Sequence, residues 1–500
     1  MASDVAQQKS DSLDSLIMHK SSLIKVLETL QTRERSRFRE YVGSPYFNKN
    51  EKIKNLCDYV IKRLNANKTT ELDKPTVYRQ IYGSKGYKEL RLNNLISDLL
   101  QLLYDFLADQ HHQKAVMQQK NELLECLLDR ELHDLVDRNA RRLRQLLDED
   151  PRRNHDHYFW EYQYYERLDS QSLAAGKRGY DESLQHKSDQ LDLYYWCNKM
   201  RIACDMASRN VVVNARYDCH HLEVLLAAFQ ENQFGIQSIP VLQVYYKTYQ
   251  MITEGEEAQH YFALKELLGR HGQLFPQGEL RVLYNYALNY CVKKINFGQS
   301  IFHQEILDLY RVLLEEKIIF KNGYLTQWSY INIIAAGIRL REFDWTEQFI
   351  HDYAPHLLPE VKDNAYTYNL SSLYFEKKDY QAALGHLHEV EFTDAFYHMG
   401  AKLIQLKSYF ELEETEAFHA LLEASRQYVL RNRQLSDYQK QSYGNFLKIA
   451  NRIQKLSSSK GFIPKEEWLQ RYKKLMAQLD DPSPLASKAW LRRVLEEMGT

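Results

Sequence analysis

The feature that most constrains this chain is a helical apolar period that runs through it with almost no punctuation. Apolar residues recur three and four positions apart, as in Ile53, Leu56, Cys57, Val60, Ile61 and Leu64, and again in Leu92, Leu95, Ile96, Leu99, Leu103 and Phe106. Residues at that spacing share one face of an α-helix and demand a partner surface. Only 18 Gly and 10 Pro interrupt 500 residues, against an average usage of roughly 7% and 5%. Sandwiches and α/β folds need more turns than that, so the pattern predicts an all-α protein of long helices with short connections. No segment alternates as a strand, and the β-branched run Val211-Val212-Val213 is assigned to a helix start. The chain is longer than a domain of roughly 100–200 residues, which leaves several domains or one elongated array.

Local signals place the helices and their ends. Leu13, Leu16 and Ile17, then Leu23, Ile24, Leu27 and Leu30, open the fold at helical spacing. Thr32 is positioned to cap the next helix, which stops at Gly43-Ser44-Pro45. Asn50 caps a helix, and Asp73 with Pro75 just inside starts another, ended by Gly83-Ser84-Lys85-Gly86. Helices follow over residues 87–110, 113–129 and 131–147, the last closed by Asp150-Pro151. Near the C-terminus, breaks at Ser457-Ser458-Ser459 and at Asp481-Pro482-Ser483-Pro484 bound a helix over 464–479 and a short final one with Trp490, Leu491, Val494 and Leu495. These punctuation marks divide the chain into a basic N-terminal helical domain (1–110), connecting helical pairs (111–238), repeats (239–455) and C-terminal capping helices (456–500).

The repeats are carried by aromatic-rich helical segments, each followed by a polar break and a second helix. The clearest is NLSSLYFEKKDYQAALGHL at 369–387, with Leu370, small Ser371, Tyr374, the turn Lys378-Asp379-Tyr380, small Ala383 and Leu387. Small residues let two helices approach closely, and large ones fill the groove between neighbouring pairs. Phe343-Asp344-Trp345 lies 35 residues before that turn and Glu414 lies 35 after Asp379. This pattern resembles the tetratricopeptide family over residues 239–455, and more weakly over 155–238. The resemblance implies a right-handed α-solenoid of irregular helix pairs whose concave face binds a protein or peptide. On that face it implies Tyr284, Asn285, Tyr368, Asn369 and Ser372 as exposed contact residues, suited to an extended or helical peptide. Ala365, Gly400 and Ile404 stand where the family's carboxylate-clamp cations would sit, which disfavours a chaperone-tail ligand. The N-terminal part, with RFREYVGSPYFNKNEK at 37–52, resembles an uncharacterised family of bacterial helical proteins and supplies no site.

Nothing in the sequence points to catalysis, a metal or a cofactor. The six cysteines, including Cys197, Cys204 and Cys219, form no C-x-x-C pair, which fits buried thiols in a reducing, cytoplasmic setting. His111-His112, His155/His157, His220-His221 and His386/His388 are one or two apart and point to different helix faces, whereas helical metal pairs sit three or four apart. Phosphate-loop, zinc-protease and nucleophile-elbow motifs are missing, and no apolar stretch is long enough to insert in a membrane. Charge supplies the second functional reading. Net charge is −1, yet residues 25–91 hold 16 Lys/Arg against 8 Asp/Glu. Arg33, Arg35, Arg37 and Arg39 are the candidate nucleic-acid contacts, and residues 74–105 loosely follow a helix-turn-helix order. An interaction scaffold is the favoured expectation and a nucleic-acid-associated regulator the alternative.

Overall fold

The computed structural model describes Met18 and residues 20–499, apart from 69–71, 84–85, 177–178, 213–214 and 389–394. The expected helical residues Leu13, Leu16 and Ile17, the turn residues Ser84 and Lys85, Val213 and the His388 side chain lie outside the description. The described chain is all-helical, with 23 α-helices and no strand. Among the described residues, no helix is long and apolar enough to cross a membrane. The chain forms two compact units, residues 1–195 and 196–500.

In the first unit, α1 (Ser22–Thr29), α2 (Thr32–Gly43), α3 (Glu51–Asn65), α4 (Lys74–Tyr82) and α5 (Glu89–His112) enclose a core that includes Leu27, Phe38, Leu56, Val60, Leu99 and Leu103. The caps at Asn50 and Asp73 form as their side chains predict, accepting from the Lys52 and Thr76 amides at 3.0 and 2.9 Å. Thr32 is not a cap. Gln31 takes that place in a reciprocal pair with Glu34, because the glutamate three residues on can reach back to its amide. Three further helices, α6 (Val116–Leu128), α7 (His133–Glu149) and α8 (His155–Ala174), share a smaller core around Leu124, Val136 and Leu143. Arg144 on α7 bonds both oxygens of buried Glu161 on α8 at 2.6 Å and also pairs with Asp148. The boundary between the units, at residues 195 and 196, falls within the span of α9 (Glu182–Val212). Val211 and Val212 therefore end a 31-residue helix instead of starting one, since a β-branched run carries no sign of direction.

The second unit continues through α10 (Leu222–Gln230), α11 (Pro240–Thr253), α12 (Ala258–His271), α13 (Gln277–Asn296), α14 (Phe302–Glu315), α15 (Gln327–Arg339) and α16 (Phe343–Tyr353). It then runs through α17 (Pro359–Glu376), α18 (Tyr380–His388), α19 (Ala395–Glu411), α20 (Thr415–Arg431), α21 (Asp437–Ser458), α22 (Lys465–Leu479) and α23 (Lys488–Gly499). Sequence neighbours pack together, and α15 also packs on α17 and α17 on α19.

One turn geometry recurs between helices, at Glu131 in the first unit and at Arg341, Lys378 and Glu413 in the second. Arg341, Lys378 and Glu413 adopt left-handed backbone, with φ of 59°, 66° and 60°. The next amide then reaches back five residues, from Glu342 to Gly337 O, Asp379 to Tyr374 O and Glu414 to Tyr409 O, at 2.9 to 3.0 Å. This closes the orphan carbonyls of the preceding helix. The turns at 341 and 378 are 37 residues apart, so Phe343 corresponds to Tyr380, and the 35-residue register drawn from Phe343-Asp344-Trp345 is two residues off. Backbone conformation, not the aspartate-aromatic letters, sets the register. Four residues before and five after each left-handed residue stand Gly337 and Thr346, Tyr374 and Ala383, and Tyr409 and Phe418. At the first of these crossings the approach is close, and a Cβ on Gly337 would lie 2.2 Å from Thr346 Oγ1. Ser371 and Ala383 are fully buried.

Both C-terminal helices join this core. Trp468 donates to Leu456 O at 3.2 Å, and Trp490, Leu491, Val494 and Leu495 are buried with Phe446 and Leu447.

Candidate functional site

The four N-terminal arginines do not form one surface. Arg35 spends its guanidinium on the ends of α1 and α3, donating to Leu27 O at 3.0 Å and to Asn65 Oδ1 at 3.2 Å. Arg39 pairs with Asp58 at 2.7 Å, and that bond raises its pKa further. Arg37 touches Gln110 at 3.5 Å, while Arg33 stays exposed on the first turn of α2. Alternate positions on a helix diverge by about 200°, so the sequence spacing could not unite them.

The residues expected on the repeat face also separate. Tyr284 is buried at 5% exposure and Asn369 at 2%, with Asn369 donating to Ala365 O at 2.7 Å. Neither is available to a partner, which corrects their assignment as exposed contacts. Tyr368 is half-buried against Tyr397, its ring filling the space where a side chain at Gly400 would stand. Ser372 is half-buried and Asn285 exposed. Each residue turns a helix by about 100°, so a one-residue error in facing converts a contact into core.

What the structure brings together instead is a cleft of about 470 Å³ between the end of α9, the end of α11 and one face of α13. On α13, Tyr286, Asn289, Tyr290, Lys293 and Asn296 recur at three- and four-residue spacing and line it, with Phe297 just past the helix end. Ser208 and Val211 come from α9, Met251 and Ile252 from α11. The lip is apolar and wet: Val211, Val292 and Phe297 are 55%, 45% and 74% exposed. Inside, Tyr286 donates to Asp205, and Tyr290 stacks on buried Tyr261 at 5.4 Å. Burial pushes the Tyr290 phenol up to about 12, and its hydroxyl has no hydrogen-bond partner. Lys293 is the sole charged residue of the lining, and among the described residues it has no carboxylate partner. Its Nζ lies over the α11–α12 turn, where a Cβ at Gly255 would come within 3.2 Å. Chemically, this is an apolar recess with one cation and two amides at its edge, the composition of a binding site. The LYNYALNY segment carried the signal, but nothing local shows which of its faces meets α9 and α11.

The remaining titratable clusters are structural. Cys197 and Cys204 are fully buried, which raises both thiols, and Cys204 Sγ donates to Tyr245 O at 3.3 Å. His386 stacks on Tyr374. Sequence reading overlooked Glu254, Glu257 and His260, spaced three apart, which gather within 4.8 Å. Buried His260 Nε2 lies 2.9 Å from Glu254 and 3.5 Å from Glu257, and nearby Lys294 Nζ donates to Glu256 O at 2.9 Å. These bonds close the α11–α12 turn from within. No protein-family model, curated protein or solved structure matches the chain.

Proposed function

We propose that the chain is a non-catalytic interaction scaffold, in which residues 239–455 form a right-handed, tetratricopeptide-like array. Its cleft at α9, α11 and α13 receives a partner protein segment that presents an apolar side chain close to an acidic one. The single observation carrying this is the pairing of an apolar recess with one unpartnered cation, Lys293, at its edge. The apolar anchor supplies area removed from water, and the carboxylate supplies a charge-assisted bond that fixes register. The packing of consecutive helices, with α15 also on α17 and α17 on α19, supports the array. Six free cysteines support a reducing, cytoplasmic setting.

A displayed random-peptide library panned on the full chain tests the site. Enriched peptides carry an aliphatic or aromatic residue within a helical turn of Asp or Glu, and both Lys293→Glu and Val292→Asp weaken them at least ~10-fold, the equivalent of ~1.4 kcal/mol. Lys293 and Val292 are exposed, so neither variant threatens the fold. Enrichment of peptides without an apolar anchor, or affinity indifferent to both variants, refutes the assignment.

A further inference from the structure

The first unit carries positive charge that its own fold does not consume. Of the basic residues in 25–91, Arg35 is spent on the end of α1, and Arg39, Lys54 and Lys74 pair with Asp58, Glu51 and Glu89. Among the others, Lys49, Lys52, Arg79, Lys88 and Arg91 are exposed, and none has a carboxylate partner among the described residues. They come from the start of α3, from α4 and from the start of α5. Their convergence is visible at Tyr82, whose ring centroid lies 4.7 Å from Lys52 Nζ and 4.4 Å from Arg91 Cζ. Arg79 sits one turn before Tyr82, and Lys88 three residues before Arg91. Two cations held on one ring form a fixed positive site, because the ring face attracts both while water screens their repulsion.

Aromatic side chains lie beside these cations. Tyr46 is 87% exposed, the ring of Phe47 packs edge-on against it at 4.9 Å, and Phe47 is itself stacked on Tyr41 at 4.0 Å. The loop is held by Asn48, which donates to Val42 O at 2.9 Å and to Asn50 O at 3.2 Å. An open groove of about 720 Å³ runs from Phe47 past Lys49 and Lys52 to Gln101 and Leu102 on α5, with Glu51 and Asp98 as its acidic members. A ring as exposed as that of Tyr46 has no role in the core of this unit.

We infer that this surface binds single-stranded nucleic acid, with phosphates at Lys49, Lys52 and Arg91 and a base stacked on Tyr46. Phosphates need unpartnered cations, and every base has a π-face that an exposed ring accepts. An acidic peptide would use the cations and leave Tyr46 idle, while a duplex keeps its bases stacked away from that ring. The site is independent of the cleft on α13, and it is not the surface that Arg33, Arg35, Arg37 and Arg39 suggest.

Fluorescence anisotropy of the full chain with a labelled oligo-thymidylate of about 20 nucleotides is the test. Binding is expected, weakening with salt at a log-log slope of about −2, since three phosphates contribute about −0.7 each. Lys52→Glu/Arg91→Glu is expected to lower affinity at least tenfold and flatten the slope, with circular dichroism and melting unchanged. Tyr46→Ala is expected to weaken binding at least fivefold and keep the slope, whereas Arg33→Glu, at the far end of α2, has little effect. Failure to bind at low salt overturns the inference, as does binding indifferent to the double reversal. Equal or tighter binding of duplex or of poly-glutamate assigns the surface to another partner and overturns it as well.

Discussion

Replacing Trp490 by alanine should uncouple the C-terminal helix from the second unit. The indole is 7% exposed, lies edge-on to Phe410 at 5.4 Å, packs near Phe446 at 6.1 Å and donates from Nε1 to Glu411 at 2.7 Å. Truncating a buried aromatic of this size costs about 3–5 kcal/mol, through lost transfer energy and the cavity left behind. The hydrogen bond adds less than its usual ~1.5–3 kcal/mol, because Glu411 keeps Arg493 as a partner. Trp490→Phe preserves most of the packing and loses the bond, so it should cost about 1–2 kcal/mol. In scanning calorimetry the transition of the 196–500 unit should fall by on the order of 10 °C for the alanine variant and by a few degrees for phenylalanine. Hydrogen exchange should quicken along α19 and α21, against which the indole packs. Removing residues 482–500 should reproduce the larger shift. If both the alanine variant and the deletion leave the transition within about a degree of the parent, α23 contributes nothing to the core and its apolar face serves another purpose.

Gly337→Ala places a methyl 2.2 Å from Thr346 Oγ1, which is held by its bond to Glu342 O, so a loss of about 1–3 kcal/mol is expected. Gly337→Ala/Thr346→Ala should recover most of it in urea unfolding; a neutral or stabilising single variant, as helix propensity alone would give, contradicts the crossing. Ala383→Arg buries a charge as well as volume and should cost more than that, and an unchanged melting temperature would reject the packing of α17 on α18. Arg144→Met leaves Glu161 buried without its bidentate partner and should destabilise the first unit by about 3–5 kcal/mol, read by urea unfolding. Burial, aided by Arg153, lowers His157 to about 4, so between pH 6.5 and 4 the unfolded chain binds the extra proton. Its contribution is intact above pH 6.5 and lost as pH falls towards 4. After allowance for solvent screening this is on the order of 2 kcal/mol, and the stability difference between wild type and His157→Gln should narrow across that window. A difference that stays flat with pH removes His157 from the account.

Local chemistry was enough to place most helices and several of their ends. The caps at Asn50 and Asp73, the proline inside α4 and the turn at Lys378 depend on residues within one helical turn of each other, and such contacts are written directly in the sequence. The spacing of Trp490, Leu491, Val494 and Leu495, too apolar for a free tail, likewise pointed to a helix with a face to bury. Facing was a different matter. Tyr284 and Asn369 look as suitable for a partner as Tyr286 and Asn289, and only the packing of α9 and α11 against α13 decides which side lines a cleft. Arg35 and Arg39 are indistinguishable by type from Arg33, yet Leu27 O and Asp58 claim them. Lys52 and Arg91 meet over Tyr82 although 39 residues separate them. An apolar period specifies that a helix has a buried face because that follows from 3.6 residues per turn. Which neighbour covers the face, and which polar groups are left unpaired, depends on long-range contacts that no local spacing encodes, so the helices belonged to the sequence and the candidate sites to the tertiary structure.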